Sequence, residues 1–258
     1  MGWFGRGLRW LTAAIVVALA VLWPLVFTGE STGAPASDPV TITDYRADYH
    51  VDADGNLDAT ETITARFPGD RHGIFRYWDV TNPNSPRVRQ EPTITSIRMD
   101  DGEIPYELQW SGRDRFRVAK IGDPDRYLDY GEHVFEIRYT VPGVLDPGDT
   151  GAQFYWNVIA PGWDNVIERA EITVTLPAAV TGVQCWVGRG TGTGTPCPGI
   201  HADATRLTIL AAGLAPRTPV TVRAGWTWRR RRAPNCPGPI AGIRSSAAPC
   251  RACSRWWG

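Results

Sequence analysis

Glu61 is the residue whose type and position most clearly require a chemical explanation. It lies on the apolar side of an alternating segment, in line with Leu57, Ala59 and Ile63. A carboxylate in such a place is costly to bury without a partner. We predict a structural ion pair with Arg76, because a guanidinium can satisfy a carboxylate with two parallel hydrogen bonds. A polar functional site at Glu61 is the alternative interpretation.

Two cysteines flank a loop that is rich in glycine and threonine. Cys185 and Cys197 enclose the segment Gly188 to Pro196. The uncharged apolar segment from Trp10 to Phe27 is typical of an exported protein, so we expect these cysteines to form a disulfide. Closing so short a loop is worth about 3 kcal/mol in the chain-entropy model. A free thiol pair is the alternative, although neither cysteine has a neighbouring His or Lys to stabilise a thiolate.

One acidic segment resembles a calcium loop in part. The first ligands of such a loop alternate with other residues, as do Asp52, Asp54, Asn56 and Asp58. The glycine comes one position early, however, and Ile63 occupies the place of the closing bidentate Glu. Asp-Gly and Asn are also favoured in hairpin turns, so a turn is the preferred interpretation.

The remaining cysteines do not complete a metal site. Cys236, Cys250 and Cys253 include one Cys-x-x-Cys pair, but no histidine follows His201. A structural zinc requires four ligands. We therefore predict no metal and no cofactor.

No motif for catalysis is present in the sequence. We find no nucleophile elbow, no phosphate-binding glycine loop and no zinc-protease helix. We predict no catalytic residue. The alternative is a glycan-hydrolysing or glycan-binding domain that uses Glu61, Asp48 or Asp164, and a glycosidase would need two carboxyl groups about 5–10 Å apart. Four aromatic residues could then form a sugar-stacking platform: Tyr155, Trp156, Trp163 and Trp186.

The elements that must position these residues are short strands. Residues Thr41 to Val51 and Leu57 to Phe67 alternate with a period of two, and a turn around Asp54-Gly55 separates them. Ten further strand-like runs follow, separated by Gly, Pro and Asp, with no helical period past Phe27. We predict an all-β fold, an antiparallel β-sandwich that could comprise two packed sub-sheets.

An uncharged apolar segment near the N-terminus predicts export. The segment runs from Trp10 to Phe27 and follows Arg6 and Arg9. Its length lies between that of a signal-peptide core and that of a membrane span, so residues 1–36 are either a cleaved signal peptide or a retained membrane anchor. In both cases we expect the rest of the chain to lie outside the cytoplasm, anchored to the membrane or secreted.

Charge divides the chain into three parts. Of the 27 basic residues, two precede Gly29 and seven follow Gly225, whereas all 27 acidic residues lie between. The net-acidic middle argues against nucleic-acid binding by the folded domain. We predict a signal or anchor at 1–36, an extracytoplasmic domain at 40–226 and a disordered Arg/Pro/Cys-rich tail at 227–258. The composition of the tail also fits an out-of-frame continuation.

Ordered motifs mark the predicted domain along its length. They are Tyr45-x-x-x-Tyr49-x-Val51, Asp54-Gly55-x-Leu57-x-Ala59-x-Glu61, His72-Gly73-Ile74-Phe75-Arg76 and Phe154-Tyr155-Trp156-Asn157-Val158. In order and spacing, this series resembles the domain of unknown function 2207 family of predicted bacterial membrane proteins, over about Val40 to Trp226. The resemblance implies an export signal, an extracytoplasmic β-rich domain and C-terminal membrane helices. It implies no known activity, and this chain departs from the pattern after Trp226.

These observations favour a non-enzymatic binding or scaffold module of the cell envelope. The expected partners are the membrane, through the N-terminal segment if it is not cleaved, and an envelope protein or glycan; nucleic acid is not expected. The alternative is an envelope carbohydrate-binding or glycan-hydrolysing domain.

Overall fold

The protein is built from β-strands. The computed structural model describes residues 38–82, 84–85, 87–147, 151–188 and 194–226. Within these ranges there are sixteen strands and no helix, so the predicted all-β class is confirmed. The strands are β1 (Thr41–Val51), β2 (Leu57–Phe67), β3 (Gly73–Asp79), β4 (Thr93–Met99), β5 (Gly102–Glu103), β6 (Tyr106–Ser111), β7 (Phe116–Gly122), β8 (Gly131–Val141), β9 (Leu145–Pro147), β10 (Ala152–Ile159), β11 (Ile167–Thr175), β12 (Thr181–Val187), β13 (Thr195–Pro196), β14 (Gly199–Asp203), β15 (Arg206–Leu214) and β16 (Val220–Trp226).

The two predicted segments at the ends of the chain are not part of this description. The export segment at 1–36 and the Arg-rich tail at 227–258 lie outside the described residues. In the described part of the chain, no helix is long and apolar enough to cross a membrane.

The largest sheet has eight strands in the order β14-β15-β11-β1-β2-β8-β4-β5. At its centre, β1 and β2 form the predicted antiparallel hairpin. On its other side β1 pairs in parallel with β11, which departs from the expectation of antiparallel neighbours. Parallel neighbours require a long connection, and here the intervening chain builds most of the remaining strands.

Two smaller sheets accompany the large one. The first has five strands in the order β13-β12-β16-β10-β9, and the second has three in the order β3-β7-β6. Inward-facing side chains of all three sheets belong to one hydrophobic core. Alternation explains this arrangement, because every second side chain of a strand points to the same face.

Strand β3 presents a charged residue to that core. Ile74, Arg76 and Trp78 are buried, whereas Phe75 is exposed on the other face. On the large sheet, Glu61 of β2 is buried in the same core. The sheet arrangement therefore brings together a buried cation and a buried anion that lie on different sheets.

Candidate functional site

The buried carboxylate of Glu61 accepts hydrogen bonds from Arg76 and two tyrosines. Arg76 donates from Nη2 to Glu61 Oε1 at 2.6 Å and from Nε to Oε2 at 2.7 Å. The hydroxyl of Tyr139 donates to Oε1 at 2.5 Å. The Tyr49 hydroxyl is 3.0 Å from the same oxygen and 3.0 Å from the carbonyl of Val158. The carboxylate thus has the bidentate partner that its position requires, and two tyrosines besides.

The guanidinium of Arg76 is enclosed on its remaining sides. Its Nη1 donates to the backbone carbonyl of Tyr77. Its central carbon lies 4.7 Å from the ring centroid of Trp78, 5.6 Å from that of Trp163 and 6.0 Å from that of Tyr139. Such contacts between a cation and aromatic faces are favourable, most strongly where water is excluded.

The electrostatics fix the protonation states of this network. Burial by itself would raise the pKa of Glu61, but the charge of Arg76 and the hydrogen bonds from Arg76, Tyr139 and Tyr49 outweigh it, and the pKa lies below its usual value. Burial and the charge of Glu61 raise the pKa of Tyr139. Glu61 is therefore an anion and Tyr139 a neutral hydrogen-bond donor.

A cleft of about 230 Å³ opens beside this network. Strand β3 of the three-stranded sheet lines one side and strand β10 of the five-stranded sheet lines the other. Its principal lining residues are Arg76, Trp78, Arg115, Tyr155, Trp156 and Asn157. The described lining therefore combines aromatic residues with hydrogen-bond donors, which is the usual composition of a ligand site.

The polar groups of the cleft are partly engaged. Asp79 Oδ2 accepts hydrogen bonds from Arg115 at 2.6 and 3.0 Å, and its Oδ1 accepts one from the Thr81 hydroxyl at 2.6 Å. The Thr221 hydroxyl donates to Asn157 Oδ1 at 2.8 Å, which leaves the amide NH₂ of Asn157 as a donor for a ligand. Among the described lining residues, Asp79 supplies the carboxylate, and no second one accompanies it.

The three carboxylates that the hydrolase alternative would use, those of Glu61, Asp48 and Asp164, lie in different places. Asp48 is exposed on the outer face of the large sheet, whereas Glu61 faces the core. Asp164 forms a surface ion pair with Arg217, with Nε and Oδ1 2.5 Å apart. Trp163 is buried against Tyr45 instead of being available for stacking with a sugar. Of the sequence-predicted groups, the structure brings together Glu61 with Arg76, and Tyr155 with Trp156.

The structure also places the two cysteines of the glycine-rich loop together. Cys185 of β12 and Cys197 are linked, with their Cα atoms 5.3 Å apart. The backbone N–H of Cys197 donates to the carbonyl of Cys185 at 3.1 Å, so the two chain segments are also joined by a backbone hydrogen bond.

The acidic segment after β1 folds as a turn. Asp52 Oδ1 accepts the N–H of Asp54 at 2.9 Å and that of Asn56 at 2.8 Å, and Oδ2 accepts the Asn56 side-chain amide at 2.9 Å. Hydrogen bonds from Asn56 lower the pKa of Asp52. Within the described ranges, no group of three or more His, Cys, Asp or Glu is arranged to hold a metal ion.

The sequence of the described domain matches a known protein family. A family model for the N-terminal domain of predicted membrane proteins, DUF2207, matches residues 41–226. The chain belongs to this family. The DUF2207 match begins at the first residue of β1 and ends at the last residue of β16, so the family unit and the described fold coincide. No curated protein matches the chain.

Several solved peptidase structures resemble the DUF2207 domain weakly. Yeast LTA4 hydrolase in complex with bestatin has 8% identity and a TM-score of 0.47, with 72% of this chain and 28% of that chain covered. An M1 zinc metallopeptidase from Deinococcus radiodurans has 11% identity and a TM-score of 0.39, with 73% and 43% covered. A putative protease from Parabacteroides distasonis has 10% identity and a TM-score of 0.39, with 74% and 41% covered. The chain thus spans less than half of each protein, and such low similarity transfers no activity.

Proposed function

We propose that this DUF2207 domain is a non-enzymatic binding module outside the cytoplasm, and that the cleft beside Arg76 is its ligand site. The observation that carries the proposal is the closed network under the cleft. Glu61 and Arg76 satisfy each other, so the strongest charges near the cleft are committed to structure. A ligand would meet aromatic rings and amide or hydroxyl groups instead of a reactive pair.

The cleft suits a small, largely uncharged group. Its volume of about 230 Å³ is below the roughly 300–1,000 Å³ of sites that enclose drug-sized molecules. Arg115 is compensated by Asp79, and Arg76 by Glu61. A single sugar ring or a short polar peptide segment has the size and the hydrogen-bonding groups that this lining can match.

Carbohydrate binding is the more specific candidate. The consecutive residues Tyr155, Trp156 and Asn157 line the cleft. Aromatic rings offer an apolar face to the C–H surface of a sugar, and an amide binds its hydroxyls. Glycan hydrolysis in this cleft is disfavoured, because a glycosidase needs two carboxyl groups across the bond and the described lining of the cleft supplies Asp79 alone.

The location outside the cytoplasm is supported by two independent features. An apolar segment at Trp10 to Phe27 follows two arginines, the pattern of an export signal or anchor. Cys185 and Cys197 lie at bonding distance, and disulfides persist in oxidising compartments.

The test is ligand binding by the full chain in detergent. A panel of envelope oligosaccharides and short peptides is screened by saturation-transfer NMR, and each hit is measured by calorimetry. We expect Trp156→Ala and Asn157→Ala each to weaken binding at least tenfold. Trp110→Ala is the matched control, because Trp110 lies outside the cleft on β6. Equal losses in Trp110→Ala, or turnover of a glycan by the wild-type chain, would contradict the proposal.

A further inference from the structure

The most exposed aromatic side chains of the described residues lie on one loop. Tyr127 is 59% exposed and Tyr130 is 79% exposed. The loop connects β7 to β8 and spans residues 123–130. Tyr106 and Phe75, each 41% exposed, lie on β6 and β3 beside the end of β7 from which the loop leaves.

This loop is held firmly in place. His72 Nδ1 lies 3.0 Å from the carbonyl oxygen of Asp123 and 2.9 Å from that of Arg126. Both oxygens can only accept, so Nδ1 carries the hydrogen. The rings of His72 and Tyr127 stack with centroids 4.3 Å apart. A preformed loop loses little conformational entropy when it meets a partner.

The first described residues of the chain lie at the same end of the domain as this loop. The backbone N–H of Leu128 donates to the carbonyl of Arg71 at 2.7 Å, and the Arg71 guanidinium lies 4.0 Å from Asp38. Asp38 is the first described residue, and ten residues separate it from Phe27, the end of the apolar segment. Ten residues span at most about 35 Å. An anchor ending at Phe27 would therefore hold this end of the domain within about 35 Å of the membrane surface.

Charge indicates which kind of contact this loop can make. Residues 123–130 contain three aspartates and one arginine. Such a loop gains nothing from anionic lipid headgroups, which attract basic segments. Tyrosine, in contrast, is favoured at the membrane–water interface, where its ring meets apolar groups and its hydroxyl stays hydrated.

We propose that the loop 123–130, through Tyr127 and Tyr130, contacts the headgroup region of the membrane in which the Trp10 to Phe27 segment is anchored. The contact fixes the orientation of the domain on the membrane. It is independent of any ligand in the cleft beside Arg76, and it is driven by aromatic side chains rather than by charge.

Photo-crosslinking in vesicles tests the contact. The full chain is reconstituted into phosphatidylcholine vesicles that contain a lipid with a diazirine near its headgroup, and crosslinked residues in the floated fraction are located by tandem mass spectrometry. We expect crosslinks at residues 127–130 and none at Trp110, an exposed aromatic residue at the other end of the three-stranded sheet. Adding phosphatidylserine should not increase the yield.

Variants separate contact from folding. Tyr130→Ser should lower the crosslinking of the loop at least threefold while the melting temperature stays unchanged, because Tyr130 is largely exposed. Tyr127→Ser is the second variant, although it also removes the stack on His72. Trp110→Ser is the matched control and should leave the yield unchanged. A chain that does not float, or crosslinks spread equally over Trp110 and the loop, would overturn the proposal.

Discussion

Removing the Glu61 carboxylate leaves a buried cation without its counterion. In Glu61→Ala the Arg76 charge stays buried and unpaired and the Tyr139 hydroxyl loses its acceptor, whereas the Tyr49 hydroxyl keeps the carbonyl of Val158. We expect a loss of about 3–5 kcal/mol in the free energy of unfolding. Glu61→Gln should cost less, because one acceptor oxygen remains.

Urea unfolding measures both variants, with Asp48→Ala as the control. Asp48 is an exposed carboxylate on the neighbouring strand β1, and its removal should change stability by no more than about 0.5 kcal/mol. Equal and negligible losses in all three variants would mean that Glu61 is solvated in the native protein.

The pH dependence of stability should show a contribution from His133. Burial by itself lowers the pKa of His133, but the hydrogen bond to Asp100 at 2.7 Å and the carbonyl of Asp129 outweigh burial, so its pKa lies above the usual value. A raised folded-state pKa gives stability that is complete below the unfolded-state pKa of about 6.5. That stability is lost as the pH rises through the folded-state pKa.

Thermal melting of His133→Gln across pH 5.5 to 8.5 checks this contribution. The variant should lose the part of the decline that the wild-type chain shows above about pH 6.5. His201→Gln is the control, because His201 is exposed on β14. A wild-type profile that His133→Gln leaves unchanged would show that folding does not shift the pKa of His133.

For single residues, the sequence predicts the pairing of Glu61 with Arg76 better than it predicts the other members of their hydrogen-bond network. A carboxylate among apolar residues is a local signal, and guanidinium geometry suggests the partner. Tyr49 and Tyr139 are predictable only as residues of strands. Both pair with Ala59 across β2, one from each side, and the small Ala59 side chain lies two positions from Glu61. That convergence depends on the order of strands in the sheet, which the sequence pattern does not contain.

The disulfide between Cys185 and Cys197 joins strand β12 to the segment that follows β13. Cys185→Ala with Cys197→Ala should lower the free energy of unfolding by about 3 kcal/mol, because the unfolded chain is no longer constrained by a short closed loop. Non-reducing peptide mapping of exported protein should recover the linked peptides. Free alkylation of both thiols in the native exported protein would contradict the pairing.

Strands of seven or more residues follow from local alternation, and very short ones do not. β4 and β16 have the predicted bounds. β5 and β13 have two residues each and β9 has three, too few to display a period. The parallel pairing of β1 with β11 also escapes sequence analysis, because the alternation within a strand does not specify a partner more than one hundred residues away.

The cleft beside Arg76 is a property of the whole molecule. Arg76 and Trp78 come from β3, whereas Tyr155 and Trp156 come from β10 of another sheet. The sequence identifies these two β10 aromatics as a candidate platform together with Trp163 and Trp186. Only the packing of the sheets shows which of these aromatic residues can reach a ligand. Trp163 is buried in the core, whereas Trp156 lines the cleft.

The side of the membrane on which the domain lies depends on the entire chain, including its N-terminal segment. We expect a periplasmic-type reporter enzyme, active only outside the cytoplasm, to be active when it is fused after Trp226, because the Arg6 and Arg9 flank favours a cytoplasmic N-terminus. Leu19 lies in the middle of the apolar segment, and Leu19→Arg should reduce reporter activity, since a central charge costs about 2.5–3.5 kcal/mol on insertion.

The matched control places the same charge outside the segment. Ser31→Arg adds one arginine after Phe27 without interrupting the apolar run. It should preserve more reporter activity than Leu19→Arg does, because an arginine outside the hydrocarbon region is not desolvated there. A cytoplasm-specific reporter that is active in the wild-type fusion would place the DUF2207 domain on the inner side of the membrane. In that case neither the disulfide nor the proposed outward-facing ligand site could stand as described.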